Sequence, residues 1–184
     1  MNDPDYHLHV FNDSTTIALC EDRGPFRAVL AFPALHFWVN DGQPGSECVG
    51  YSLELQIRKR IVASTSGEAC LDLFRDWVHA LEVWEGGSPR TCVLAGTVID
   101  DVRIALWREP NESINVSIEA RGTERNLLRS REANAVPTGR RRSLRRRMVH
   151  QAGFECNAAS KILTAGLQRM ISEAEEVMRG AARS

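Results

Sequence analysis

Along the first half of the chain, apolar residues recur at every second position. Tyr6, Leu8 and Val10 alternate with His7 and His9. Phe26, Ala28, Leu30 and Phe32 alternate up to Pro33, and Leu53, Leu55 and Ile57 alternate with Glu54, Gln56 and Arg58. Strand side chains point to opposite faces in turn, so this period of two predicts half-buried β-strands with a polar face. Thr15–Cys20 and Leu35–Val39 add shorter strands, the second closed by the turn sequence Asn40-Asp41-Gly42. Thr91–Thr97 offers another. Val102, Ile104 and Leu106, then Ile114, Val116 and Ile118, flank Glu109-Pro110-Asn111-Glu112 and predict a hairpin over 100–119.

The period changes to helical where Leu71, Phe74, Trp77, Val78 and Leu81 share one face, opposite Asp72, Asp76 and His79. A helix is expected over 67–83, with Ser66 as its N-cap, Glu68 in its first turn and Gly86-Gly87-Ser88-Pro89 ending it. Burying each large side chain of that stripe contributes about 1.5–3 kcal/mol, reason enough for the helix to lie on a sheet. After Arg121 the pattern is helical. Thr123–Asn134 is expected as a short helix using Leu127 and Leu128, and 135–139 as a linker. Arg140–Ala152 is expected as a basic helix with Leu144, Met148 and Ala152 at spacings of four and Gly153 as its stop. Over 158–180, Ile162, Leu163, Leu167, Met170, Ile171, Ala174, Val177 and Met178 fill one half of a helical wheel, and Glu175 and Arg179 are placed for an i, i+4 pair. The apolar half of this helix either covers its own domain, the favoured reading, or pairs with a second copy to give a homodimer.

The order strands, helix, strands predicts an α+β fold: an antiparallel sheet packed against one central helix, with a helical C-terminal region. Charge suggests the same division. Residues 1–121 form an acidic α+β domain and 122–184 a basic helical region; up to residue 120 there are 18 acidic and nine basic side chains, and from 121 onward six and 14. The net charge of −1 conceals this asymmetry, which bears on partners and internal docking more than on fold. The 43% apolar and 26% charged fractions are those of a soluble globular protein, and no apolar run is long enough to cross a membrane as a helix. The acidic start, Met1-Asn2-Asp3-Pro4-Asp5, has no apolar signal region, so a cytoplasmic location is expected.

Six arginines, Arg140, Arg141, Arg142, Arg145, Arg146 and Arg147, fall within eight residues. Guanidinium forks suit phosphate, yet no aromatic residue interleaves them as a stacking platform for bases. The cluster therefore contacts nucleic-acid phosphate, forms a solvated face, or straps onto the acidic half of its own chain. The near-cancellation of the two charges favours the strap. His7 and His9 share a strand face, but no further zinc ligands accompany them, so they are expected on a polar strand face and no metal is expected. His36, beside Phe37 and Trp38, is expected in the interior or at an edge. Asp100 and Asp101 are adjacent, hence on opposite faces of a strand, a poor arrangement for paired-carboxylate catalysis. The five cysteines show no C-x-x-C spacing and are expected as reduced thiols. No nucleophile elbow, phosphate loop, dinucleotide fingerprint or zinc-protease motif occurs, and no cofactor is expected.

Residues 50–121 resemble the small bacterial immunity-type proteins of polymorphic toxin systems, particularly the WapI-inhibitor type. The residues that carry it are the Leu53-Glu54-Leu55-Gln56-Ile57-Arg58 strand, the Leu71–Leu81 helix, Gly86-Gly87 and the closing hairpin through Ile104 and Val116. The resemblance covers about the middle 40% of the chain and rests on pattern, with no catalytic residues to carry over. It implies a non-enzymatic protein that occludes a bacterial toxin. Glu54, Asp72, Asp76, Asp100 and Glu119 are then the candidate acidic contacts to a basic toxin. The alternative is a nucleic-acid-associated protein gripping the phosphate backbone through Arg140–Arg147.

Overall fold

The computed structural model describes residues 5–40, 43–87, 89–95, 102–123 and 147–183. Among these are ten strands in two antiparallel sheets and two long helices, an α+β fold. The first sheet contains β1 (Asp5–Val10), β2 (Ile17–Cys20), β3 (Phe26–Ala31), β4 (Ala34–Asn40), β5 (Gln43–Ile57) and β6 (Arg60–Ala69). Helix α1 (Leu71–Glu85) follows. The second sheet runs β10-β9-β8-β7, from β7 (Thr91–Ala95), β8 (Val102–Arg108), β9 (Ile114–Thr123) and β10 (Arg147–Glu155), and α2 (Ala159–Ala181) closes the described chain.

Register reduces the first sheet to four rows. Val49 on β5 faces both Leu35 and Ala69, while Leu53 faces both Leu30 and Thr65. A strand has two edges, so β6 lies along one of them and β3 then β4 follow each other along the other. By the same reasoning β1 and β2 follow each other outside β4 and β3. Pro33 falls between β3 and β4, where a missing N–H costs no ladder bond.

One hydrophobic core joins the elements. Ile17, Leu19, Leu30, Leu53 and Leu55 meet Leu71, Phe74 and Leu81 of α1 and Leu163, Leu167 and Met170 of α2. Phe74 packs edge-on to Phe32 and Trp77, with ring centroids 5.1 and 5.5 Å apart. Phe26 of the first sheet meets Phe154 of the second at 4.8 Å. Asn157 ties the seam: its N–H donates to Asp22, its side-chain N–H donates to Glu155, and its side-chain oxygen accepts from the Ile114 N–H.

Three expectations are corrected. Helix α1 begins at Leu71, with Cys70 rather than Ser66 at its N-cap position, and Ser66 and Glu68 belong to β6. The ladder from Ile57↔Arg60 to Val49↔Ala69 satisfies that backbone, and Gly67 admits the Tyr51 phenol into space that a Cβ would fill. The basic helix over 140–152 is not formed in its described part, because Arg147–Glu155 is β10, paired along its length with β9. The charge boundary at residue 121 is also not a structural one. Strand β9 runs through Arg121, and Phe154, Leu163 and Leu167 enter the same core as the acidic half. Of the helix expected over 123–134, Thr123 instead ends β9, and residues 124–134, the linker over 135–139 and the turn residues 41–42 lie outside the described residues.

Candidate interaction face

The first strand is turned opposite to the expectation that its histidines form the polar face. His7 and His9 point inward and Tyr6, Leu8 and Val10 point outward, with exposures of 52, 55 and 70%. The inward imidazoles are accommodated chemically. His7 stacks on Phe37 with 5.0 Å between rings, and His9 Nε2 lies 2.9 Å from Glu173 Oε1 on α2. The outward row then continues across β4, where Tyr6 faces Trp38 and Leu8 faces His36. The Tyr6 hydroxyl hydrogen-bonds His36 Nδ1 at 2.6 Å, and its ring lies 5.4 Å from Trp38. Half-buried His36 is thus on an inner strand, between β1 and β5, and Trp38 remains 36% exposed.

On β5 the next residue of that row is Cys48, directly opposite His36. Burial, with the nearby charges of Glu68, Cys70 and Glu47, pushes the Cys48 thiol up from its ordinary value. A neutral thiol is a poor nucleophile, so the Tyr6–His36–Cys48 row does not have the electrostatics of an activated cysteine. What it presents instead is an apolar and aromatic surface with acids at its margin: Glu47 on β5 and Glu68 on β6. Strand β1 is an edge, with no strand described beyond it.

The acidic residues named from the sequence are not gathered on this face. Glu54 lies on β5, held by the Gln56 amide at 2.8 Å. Asp72 sits in the first turn of α1 and accepts from Arg75, whose second nitrogen reaches Glu175 on α2 at 2.9 Å. Those contacts, Glu175 foremost, raise the Arg75 pKa further. Asp76 is exposed on α1, and Glu119 lies on β9, 3.7 Å from Arg103. Asp100, Arg140, Arg141, Arg142, Arg145 and Arg146 lie outside the described residues. Arg147 opens β10 opposite Thr123. The expected side-chain pair between Glu175 and Arg179 is replaced: Arg179 donates to the Glu175 backbone oxygen while Arg75 takes the carboxylate.

A separate cleft of about 550 Å³ opens where α1 ends and α2 begins, lined by Glu85, Arg108, Glu112, Asn157 and Lys161 among others. Its charges are largely committed, with Arg108 4.5 Å above the Trp84 ring and Glu85 accepting from Ser160. Among the described residues, no group of three or more His, Cys, Asp or Glu is placed to hold a metal, and no helix is long and apolar enough to cross a membrane. Set against known proteins, the chain matches no family model, and no curated protein or solved structure gives a significant match.

Proposed function

We propose that this chain is a non-enzymatic protein-binding module of the immunity type, which occludes a basic bacterial toxin through the outer face of β1 and β4. The observation that carries the reading is the exposed row of Tyr6, Leu8, Val10 and Trp38. Scattered apolar residues on a surface need no explanation, but a contiguous aromatic and aliphatic row on an edge strand marks an interaction site. Tyrosine and tryptophan are the side chains that most often carry interface energy. The acidic margin of Glu47 and Glu68 suits a basic partner and speeds its encounter. Helix residues Asp72 and Asp76 add to the long-range field.

The test uses the full chain and the polypeptide encoded beside it. Trp38→Ala and Leu8→Asp should each weaken binding at least about 30-fold, the scale of a central interface residue, with melting curves unchanged. Asp76→Asn should slow association less than tenfold and leave dissociation alone. Unchanged affinity in both apolar variants would sink the reading. So would a substrate turnover abolished by His36→Ala or Cys48→Ser in a folded variant, which points to an enzyme.

One observation favours a second reading, in which the basic segment contacts nucleic acid. Thr123 and Arg147 face each other at the end of the β9–β10 ribbon, so the described residues on either side of 124–146 lie together. That stretch has eight arginines and two acids, against 15 basic and 22 acidic residues elsewhere. A concentrated basic segment in an otherwise acidic chain gives a polyanion one local site of attraction.

A further inference from the structure

Four of the five cysteines fall into two neighbouring pairs that their sequence spacing conceals. The first pair lies on the ladder between β5 and β6. Val49 faces Ala69 and Gly50 faces Glu68, so one step further sets Cys48 against Cys70. Cys70 keeps an extended backbone, φ −66° and ψ 152°, before α1 begins. Val49, Ala69 and Leu71 are all buried, so Cys48 and Cys70 project from the opposite, outer face. Opposed residues of an antiparallel pair have Cα atoms about 4.5–5.5 Å apart, within the roughly 4.4–6.8 Å that a disulfide spans. Independently, Cys70 is close enough for its charge to bear on the Cys48 thiol.

We infer that Cys48 and Cys70 form a site of reversible oxidation, closing a cross-strand disulfide when the protein meets hydrogen peroxide. Exposed Cys70 attacks first. Its thiolate sulfur bonds one peroxide oxygen, the O–O bond breaks, and the departing hydroxide takes a proton to become water. Half-buried Cys48 then bonds the Cys70 sulfenic sulfur while its thiol proton passes to the leaving oxygen; the S–S bond forms, the S–O and S–H bonds break, and a second water leaves. Two thiols lose two electrons in all, and one peroxide becomes two waters. The bond closes the β5–β6 hairpin and ties β5 to the entry of α1. This inference stands apart from the protein-binding reading and does not require it.

The second pair, exposed Cys20 and buried Cys156, serves as an internal comparison. Cys156 is buried and accepts a hydrogen bond from the Cys20 backbone N–H, so its sulfur is engaged with main chain, and Cys92 is buried. Neither Cys156 nor Cys92 is accessible to attack peroxide.

The experiment treats the full reduced chain with hydrogen peroxide at near-stoichiometric amounts, then maps unreduced peptides by mass spectrometry. The expected product is a linked pair of peptides containing Cys48 and Cys70, lighter by two hydrogen atoms, with loss of two titratable thiols. The melting temperature should rise by about 5–10 °C and return on reduction. Cys70→Ser should form no intramolecular link, while Cys20→Ser should behave as the parent. The surface change Cys70→Ser should fold; if Cys48→Ser does not, Cys70→Ser alone decides the result. Oxidation of Cys70 to sulfinic acid or to an intermolecular dimer with Cys48 still free overturns the inference. So does a link between Cys20 and Cys156 that forms before any other.

Discussion

Phe74 joins three other aromatic rings within the core. It is 1% exposed and meets the rings of Phe32, Tyr51 and Trp77 edge-on. Phe74→Ala should destabilise by about 3–5 kcal/mol, because a cavity lined by other aromatic side chains cannot collapse fully. A denaturant melt that changes by less than about 0.5 kcal/mol would contradict the packing. The buried thiols give a second expectation at this scale. Burial raises the pKa of Cys92 and of Cys156 above the ordinary value, so both stay protonated in the fold when the unfolded chain has begun to ionise. Below about pH 8.5 both states are neutral and nothing is lost; above it the unfolded chain binds fewer protons, so stability falls as pH rises. Melts at pH 7.5 and pH 10 should differ more for the parent than for Cys92→Ala, by at most about 1.4 kcal/mol per pH unit above the thiol range. Equal slopes would show that Cys92 ionises as readily in the fold as outside it.

At the scale of elements, α2 illustrates how a sheet and a helix are brought together. Gly166 faces Ile17 so closely that an added Cβ would overlap the isoleucine side chain. Gly166→Ala gains about 1 kcal/mol of helix propensity and loses about 1–3 kcal/mol to overpacking, so a net loss is expected in thermal melts. A net gain would mean that α2 can shift away from β2 at little cost. Removing α2 altogether, by deleting residues 158–184, should leave Leu19, Leu30 and their neighbours uncovered and lead to aggregation detectable by light scattering. The Arg75 bridge between the helices is expected to matter little by comparison, about 0.2–1 kcal/mol, because both partners are partly exposed. Strand β10 carries a lesson of its own. A spacing of four, as in Leu144, Met148 and Ala152, satisfies a helical face and also a period of two. Phe154, two beyond Ala152 and buried, continues only the second pattern.

At the scale of the whole molecule, opposite charges do not mark separate bodies. The acidic and basic halves share a core, so their fields are superimposed at close range. Two uses of the arginines then remain distinguishable. If Arg140–Arg147 contacts nucleic acid, binding to a generic duplex should fall steeply with salt, since neutralised phosphates release counterions. Changing Arg141, Arg145 and Arg146 to Ala should lower that slope by up to about one unit per lost contact and leave the melting curve alone. If the segment straps onto acidic surface, the same triple variant should lose stability, most at low ionic strength where screening is weakest. The strap is favoured, because the rest of the chain carries 22 acidic against 15 basic residues and no aromatic interleaves the arginines. Micromolar or tighter, salt-dependent binding by the parent, lost in the variant with an unchanged melt, would reverse that choice.

Local pattern was enough for the α+β class, the 114–118 strand, the apolar face of α1 and the whole of α2, because each has one period repeated over many residues and a single way to bury it. It was not enough for β6. Ile61, Val62 and Ala63 run without alternation, and only the ladder to β5 keeps Ser66-Gly67-Glu68 extended where their types suit a helix start. Nor could it decide which face of β1 turns inward. A period of two separates His7 and His9 from Tyr6, Leu8 and Val10 without saying which set is covered. The choice is made by Phe37 on β4 and by Glu173, 164 residues beyond His9, which together give the imidazoles partners that water would otherwise supply. The candidate face, and the meeting of Cys48 with Cys70, exist for that same reason: cross-strand register is a property of pairing between distant segments, and no window along the chain contains it.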